Sequence, residues 1–118
     1  NMFHIKIKNL RLQTYIGFNP DELIHKQEVV INLEMKVDVP EEAMEKDEPI
    51  GIYDYRTITK KVISMVEEGR FKLLEVLVAK VLSLVMTDEM VGWAKVEADK
   101  PGALRMTESV SVVKEATR

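Results

Sequence analysis

The sequence predicts an α+β fold, a four-stranded antiparallel sheet with two helices on one face, in the order strand, strand, helix, helix, strand, strand. Three observations lead there. Residues 3–7 and 29–39 alternate apolar and polar side chains at the period of a half-buried strand, residues after Tyr55 repeat apolar side chains at helical spacing, and alternation returns after Trp93. A chain of 118 residues is long enough for one core and too short for two. Residues 2–118 are therefore assigned to a single domain, with Asn1 set aside as extraneous to it.

The first strand begins with Phe3, Ile5 and Ile7 alternating against His4, Lys6 and Lys8. Leu10, Leu12 and Tyr15 continue it after a one-residue shift at Asn9, the phase change that a bulge produces, and Gly17 and Pro20 break the run. From Val29 to Val39 every odd position is apolar, which predicts a second strand paired antiparallel with the first across a short loop. The acidic segment from Pro40 to Pro49 reads as a solvated loop with a helical turn at most.

Ile58, Val62, Met65 and Val66 mark a first helix ending near Glu68, with Gly69 placed to take a left-handed C-terminal conformation. A second helix, Leu73 to about Met86, is apolar on nearly all sides and must be covered on more than one face. Ala94, Val96 and Ala98 alternate with Lys95, Glu97 and Asp99, and the Pro101-Gly102 turn leads to a last short strand around Val110 to Val113. The sheet edges and the far face then lack cover, which predicts association of several chains into a closed ring of sheets.

Composition narrows the function classes. The chain is 46% apolar and 31% charged, as an ordinary soluble protein is. Its longest apolar stretch, Leu73 to Met86, is interrupted by Glu75, Lys80 and Ser83 and falls short of the roughly 20 residues that cross a bilayer, so no membrane partner is expected. No basic-then-apolar leader opens the chain. The absence of cysteine excludes disulfides, thiolate metal sites and a cysteine nucleophile, and fits a cytoplasmic location. A formal charge of −3 with scattered basic residues predicts no nucleic-acid partner. His4 and His25 lack ligand spacing, so no metal site is expected.

Four polar residues stand out: Glu22 after the first strand, Tyr55 at the head of the first long helix, Glu75 near the start of the second, and Lys100 at a strand end. Isolated charges of this kind belong mostly to solvated surface. Glu75, between Leu74 and Val76 in an apolar helix, is the least ordinary. It suits either the positive end of the helix dipole or the recognition of a ligand edge bearing adjacent N–H donors.

Six blocks, in one order across nearly the whole chain, resemble the dihydroneopterin aldolase family. They are Lys8-Asn9-Leu10-Arg11-Leu12 with Tyr15-Ile16-Gly17; Glu22 with Lys26-Gln27; Tyr55-Arg56-Thr57-Ile58-Thr59-Lys60; Arg70-Phe71-Lys72-Leu73-Leu74-Glu75; Lys100-Pro101-Gly102-Ala103-Leu104-Arg105; and Glu108-Ser109-Val110-Ser111-Val112. Within that family the third and the last two blocks are most similar to the branch that inverts C2′ of the dihydroneopterin triphosphate side chain, since the cleaving branch commonly has Gly where Ser111 stands.

The resemblance implies a tunnelling fold (T-fold), with four subunits joined into a barrel, two such rings stacked to a homo-octamer, and a reduced pterin bound between neighbouring subunits. It implies Lys100 and Tyr55 as catalytic residues with Glu22 as an accessory carboxylate, and Glu75 as the pterin anchor. Backbone groups at Leu74 and Tyr53 would complete ring recognition. Arg56, Lys60 and Arg105 are candidates for holding a triphosphate. No cofactor and no metal are implied, because the N5=C6 imine of a dihydropterin accepts the electron pair released when C1′–C2′ breaks. An ammonium is a poor base at neutral pH, so an ordered water relay at Lys100 is expected. Aldol cleavage of dihydroneopterin is the alternative activity, and a pterin-binding module without turnover is the alternative of another kind.

Overall fold

The computed structural model describes all 118 residues. Strand β1 (Met2–Ile16) and strand β2 (Gln27–Asp38) form the expected long antiparallel hairpin, joined through a short helix α1 (Pro20–Ile24). Helix α2 (Glu41–Lys46) occupies the acidic segment, and α3 (Tyr55–Glu68) and α4 (Leu74–Met86) are the two long helices. Between them lies a two-residue strand, β3 (Arg70–Phe71), and the chain closes with β4 (Val91–Pro101) and β5 (Ser109–Thr117).

The sheet order is β3-β1-β2-β4-β5, with the four long strands antiparallel and β3 parallel to the end of β1. The expectation of four strands and two helices is thus corrected to five strands in a mixed sheet and four helices. The added elements are two, five and six residues long. Segments so short carry no readable periodicity; local hydrogen bonds and neighbours define them.

The phase shift in β1 is a bulge. Ile7 faces Leu33 and Leu10 faces Ile31, so Lys8 and Asn9 together oppose Asn32. Asn9 takes φ 54°, and its N–H donates to Asn32 Oδ1 at 2.9 Å. Because of that extra residue, Ile5, Ile7, Leu10, Leu12 and Ile16 all meet the core. Val29, Ile31, Leu33, Met35 and Val37 of β2 meet Val91, Ala94, Val96 and Ala98 of β4 there, under Ile58, Val62 and Val66 of α3 and Leu77, Val78, Val81, Leu82 and Val85 of α4. Both helices therefore cover one face, as expected.

The opposite face is polar. The Glu34 carboxylate lies 2.9 Å from His4 Nε2, 3.8 Å from Lys6 and 3.9 Å from Lys95, while Lys36 sits over the Trp93 ring. Such a surface is content in water, so the expected need for a layer over it does not arise. Open sheet edges remain, since β3 pairs with only Tyr15 and Ile16 on the outer side of β1 and nothing pairs with the outer side of β5.

Gly69 also departs from expectation. Its φ is −89°, outside the left-handed region; a Cβ there would lie 2.6 Å from the Phe71 ring and 2.8 Å from the Met65 carbonyl oxygen. Glycine is required by close approach, which lets the chain leave α3 and enter β3 at once. Helix α3 starts on Asp54, whose carboxylate accepts from the Arg56 N–H at 2.9 Å and the Thr57 hydroxyl at 3.1 Å.

Tyr53, just before that cap, is buried, and its hydroxyl has no hydrogen-bond partner. Burial first, then the charges of Asp88 and Asp54, push its pKa up to about 12. An unpartnered buried hydroxyl costs about 1–3 kcal/mol. Tyr53→Phe is therefore expected to stabilise the fold by about 1 kcal/mol in urea unfolding. The raised pKa also means that wild-type stability, intact below the unfolded value of 10, falls as pH rises toward about 12. The phenylalanine variant should lack that loss, and equal alkaline curves for the two proteins would contradict this account.

Candidate active site

A cavity of about 390 Å³ opens where the end of β1, the start of α4, the end of β4 and the start of β5 meet, and Glu22, Leu74, Glu75 and Lys100 all line it. Its apolar wall comes from Ile16, Phe18, Leu73, Val110 and Val112. Four of the expected site residues, from three distant blocks of sequence, are thus brought together.

Helix α1 delivers Glu22. Pro20 fills its first position, and the Glu22 side chain reaches back to the Asn19 N–H, which donates to Oε1 at 3.3 Å. The carboxylate lies directly over Gly17, at φ 119°, where a Cβ would stand 2.2 Å from Glu22 Cδ. Gly17 therefore supplies both the turn and the space. Glu22 Oε2 accepts from Gln27 Nε2 at 2.9 Å and from the Lys100 ammonium in a tight ion pair.

Only 17% of the Glu22 side chain and 15% of the Lys100 side chain remain exposed, so water weakens this pair little. The bonds from Lys100 and then Gln27 hold the Glu22 carboxyl down at about pKa 2, against a smaller opposing effect of burial. Glu22 is a fixed acceptor at neutral pH; it has no proton to give. Its chemical part is to hold the Lys100 ammonium on the cavity wall.

Glu75 occupies the second position of α4, where the unpaired N–H groups of the first turn favour a negative charge. Its side chain is exposed, and no donor of the chain meets its carboxylate. The next residue inward, Leu74, is buried in the core and fixes the helix against the sheet. Glu75 is thus a rigidly based acceptor open to a ligand.

Tyr55 lies elsewhere. With Tyr53, Asp54, Arg56, Pro49 and Ile52 it lines a separate cavity of about 380 Å³ at the head of α3. Tyr55 is exposed, and the Arg56 guanidinium lies 3.7 Å from the Asp54 carboxylate. Lys60 is exposed farther along α3, while Arg105 is exposed in the β4–β5 turn that supplies Ala103 to the Glu22–Lys100 cavity. One chain therefore holds two separate cavities, one lined by Glu22, Glu75 and Lys100 and another by Tyr55.

Comparison with known proteins gives this geometry a family. The model of the dihydroneopterin aldolase (FolB) family matches residues 5–115. The chain belongs to the dihydroneopterin aldolase family. It is 46% identical to dihydroneopterin triphosphate 2′-epimerase of Pseudomonas aeruginosa over 111 residues, covering 94% of this chain and 89% of that protein. It is 42% identical to the Escherichia coli protein of the same name over 109 residues, covering 92% and 89%. Against Escherichia coli dihydroneopterin aldolase the identity is 30% over 107 residues, covering 91% and 87%. The solved structure of E. coli dihydroneopterin aldolase in complex with neopterin superposes with a TM-score of 0.87 at 28% identity, covering 97% of this chain and 98% of that one.

Sequence reasoning named the four polar residues and passed over what seats them. Gly17 read as a chain break within a matching block and Gln27 only as part of a matching block. The Asn19-Pro20 pair with Glu22 three residues after Asn19 was the signal for a short capped helix. No sequence signal shows that Gln27 turns toward Glu22.

The lowered pKa of Glu22 sets a sign for acid unfolding. Stability from this carboxylate is complete above its ordinary value of 4.5 and is lost as pH falls through about 2. The stability difference between wild type and Glu22→Gln, measured by urea unfolding, should be constant above that value and shrink between it and about pH 2. A difference that stays constant down to the lower limit would place the stabilisation outside the ion pair.

Proposed function

We propose that this protein inverts C2′ of 7,8-dihydroneopterin triphosphate, giving dihydromonapterin triphosphate, by breaking and remaking the C1′–C2′ bond. The greater likeness to the two epimerases than to the aldolase, over nearly the same residues, carries this reading. Glu75 anchors the pterin by accepting from the ring amino group and its neighbouring N–H, with backbone groups at Leu74 and, from the other cavity, Tyr53. The C2′ hydroxyl passes its proton to a water ordered on Lys100 as C1′–C2′ breaks; the electron pair moves through C6 onto N5, which takes up a proton from the same water relay to give an enamine, and C2′ becomes an aldehyde. Turning of the aldehyde and re-addition to its other face restores the imine with C2′ inverted. Protonation at C1′ and release of the aldehyde is the cleaving outcome, supported by the same residues.

The site is complete only between chains. Tyr55, which we assign to proton transfer at the carbon centre, stands in its own cavity, and copies packed in a ring would bring it to the neighbour's Lys100. Two properties of the single chain support such assembly. It exposes 7607 Å² where a compact monomer of 13.5 kDa exposes about 6,500 Å². Its radius of gyration is 16.0 Å where about 13 Å is usual for this length. We place it as two stacked rings of four in the cytoplasm. No helix is long and apolar enough to cross a membrane.

Lys100→Ala should bind pterin and lose about 100- to 10,000-fold in turnover. Mixed with Tyr55→Phe chains, which cannot protonate C1′, and reassembled, it should recover the cleaving activity, because some interfaces then carry both wild-type residues. Failure of verified mixed rings to recover would assign both residues to one chain's pocket.

Chromatography of the products from dihydroneopterin triphosphate tests the activity itself, and the 2′-epimer should dominate. Arg56, Lys60 and Arg105 are assigned to hold the triphosphate of the cleaved aldehyde until it re-adds. Neutralising all three should shift the product toward 6-hydroxymethyl-7,8-dihydropterin and free aldehyde. If the unaltered protein yields mainly that cleaved product, it is an aldolase.

A further inference from the structure

Gln27 opens β2 opposite Thr14 and is the one side chain that touches both the chain carrying Gly17 and the carboxylate above it. Its Nε2 lies 2.8 Å from the Ile16 carbonyl oxygen and 2.9 Å from Glu22 Oε2. An amide nitrogen has two hydrogens, and both are used here, which fixes the orientation of the amide. Oε2 is also the atom that receives Lys100, so the carboxylate oxygen that holds the lysine is itself held from β2. Glu22 and the flexible Lys100 could otherwise turn together, since the carboxylate's one other hydrogen bond, from the Asn19 N–H at 3.3 Å, is long.

We infer that Gln27 is a positioning residue for the proposed reaction: it locks the Glu22 carboxylate in one rotamer and thereby fixes where the Lys100 ammonium stands on the cavity wall. The catalytic part of this inference rests on the proposed C2′ chemistry; the positioning part rests on geometry alone. Gln27 is not assigned to touch substrate.

Gln27→Glu keeps the shape and replaces a donor by an acceptor. Two carboxylates at this separation cannot both stay ionised at little cost, so they share a proton and weaken the hold on Lys100. Gln27→Met removes the donor at similar volume and guards against a folding failure of the charged variant. In the assembled protein with dihydroneopterin triphosphate, each folded variant should lose about tenfold in kcat, with KM within about twofold of wild type. In Gln27→Glu the acid limb of the kcat profile should also move toward neutral pH by about one unit or more. A merely structural role would leave that limb in place. Unchanged kcat and an unchanged profile in folded, assembled variants would overturn the inference.

Carbon-13 NMR titration of the Glu22 carboxyl provides a readout without substrate. In Gln27→Met the titration should move upward from the wild-type position at about 2. If the wild-type protein turns over no dihydropterin, the C2′ reading fails, and this titration still decides the positioning role: an upward move supports it, and no move overturns it.

Discussion

The ion pair between Glu22 and Lys100 joins residues 78 positions apart, and much of the molecule is arranged so that it can form. Three elements converge on one carboxylate oxygen: α1 brings Glu22, the start of β2 brings Gln27, and the end of β4 brings Lys100. Each rests on a separate local device. The short helix needs Asn19 and Pro20, the seat of the carboxylate needs Gly17, and the height of Lys100 in the sheet follows from the pairing of β4 with β2 and β5. A charge pair largely withdrawn from water is costly unless its geometry is good and its remaining lone pairs are satisfied. Here further donors from Gln27 and Asn19 meet that condition.

The same convergence separates two kinds of carboxylate. Glu22 is saturated with donors and held ionised, whereas Glu75 stands at the head of a buried helix with no donor from its own chain. One carboxylate is a structural part of the wall, and the other stays open at the cavity. Their chemistry is the same; the difference is set by which backbone elements surround them. Lys100, tied to the first, faces the same cavity as the second, so an acceptor and a cation are presented together against an apolar wall.

The β1 bulge has a comparable reach. By adding one residue opposite Asn32 it keeps the apolar side chains before and after it on a single face, and it leaves the other face to charges that satisfy one another. What the fold leaves open in the sheet is its edges, the outer side of β5 and most of the outer side of β1.

The sequence alone determined the long elements, because alternation in residues 3–7, 29–39 and 94–98 and helical spacing after Tyr55 are properties of consecutive residues. It also determined the bulge at Asn9, which appears as a phase error, and the kinds of residue available for chemistry. Tertiary structure decided the rest. Gly69 looked like a left-handed cap and is instead small because Phe71 and the Met65 carbonyl crowd it. Glu75 lies in an apolar helix and is open all the same, because the helix turns its crowded face to the sheet from Leu74 onward and leaves the position beside it outside. Gln27 and Gly17 carried no visible role, since their partner, Glu22, meets them only after β1 and β2 have paired and α1 has folded back over the turn. Periodicity records how a residue relates to its neighbours along the chain. A functional cavity is made of residues brought together from distant parts of it, and only the packing of the sheet fixes which of them meet.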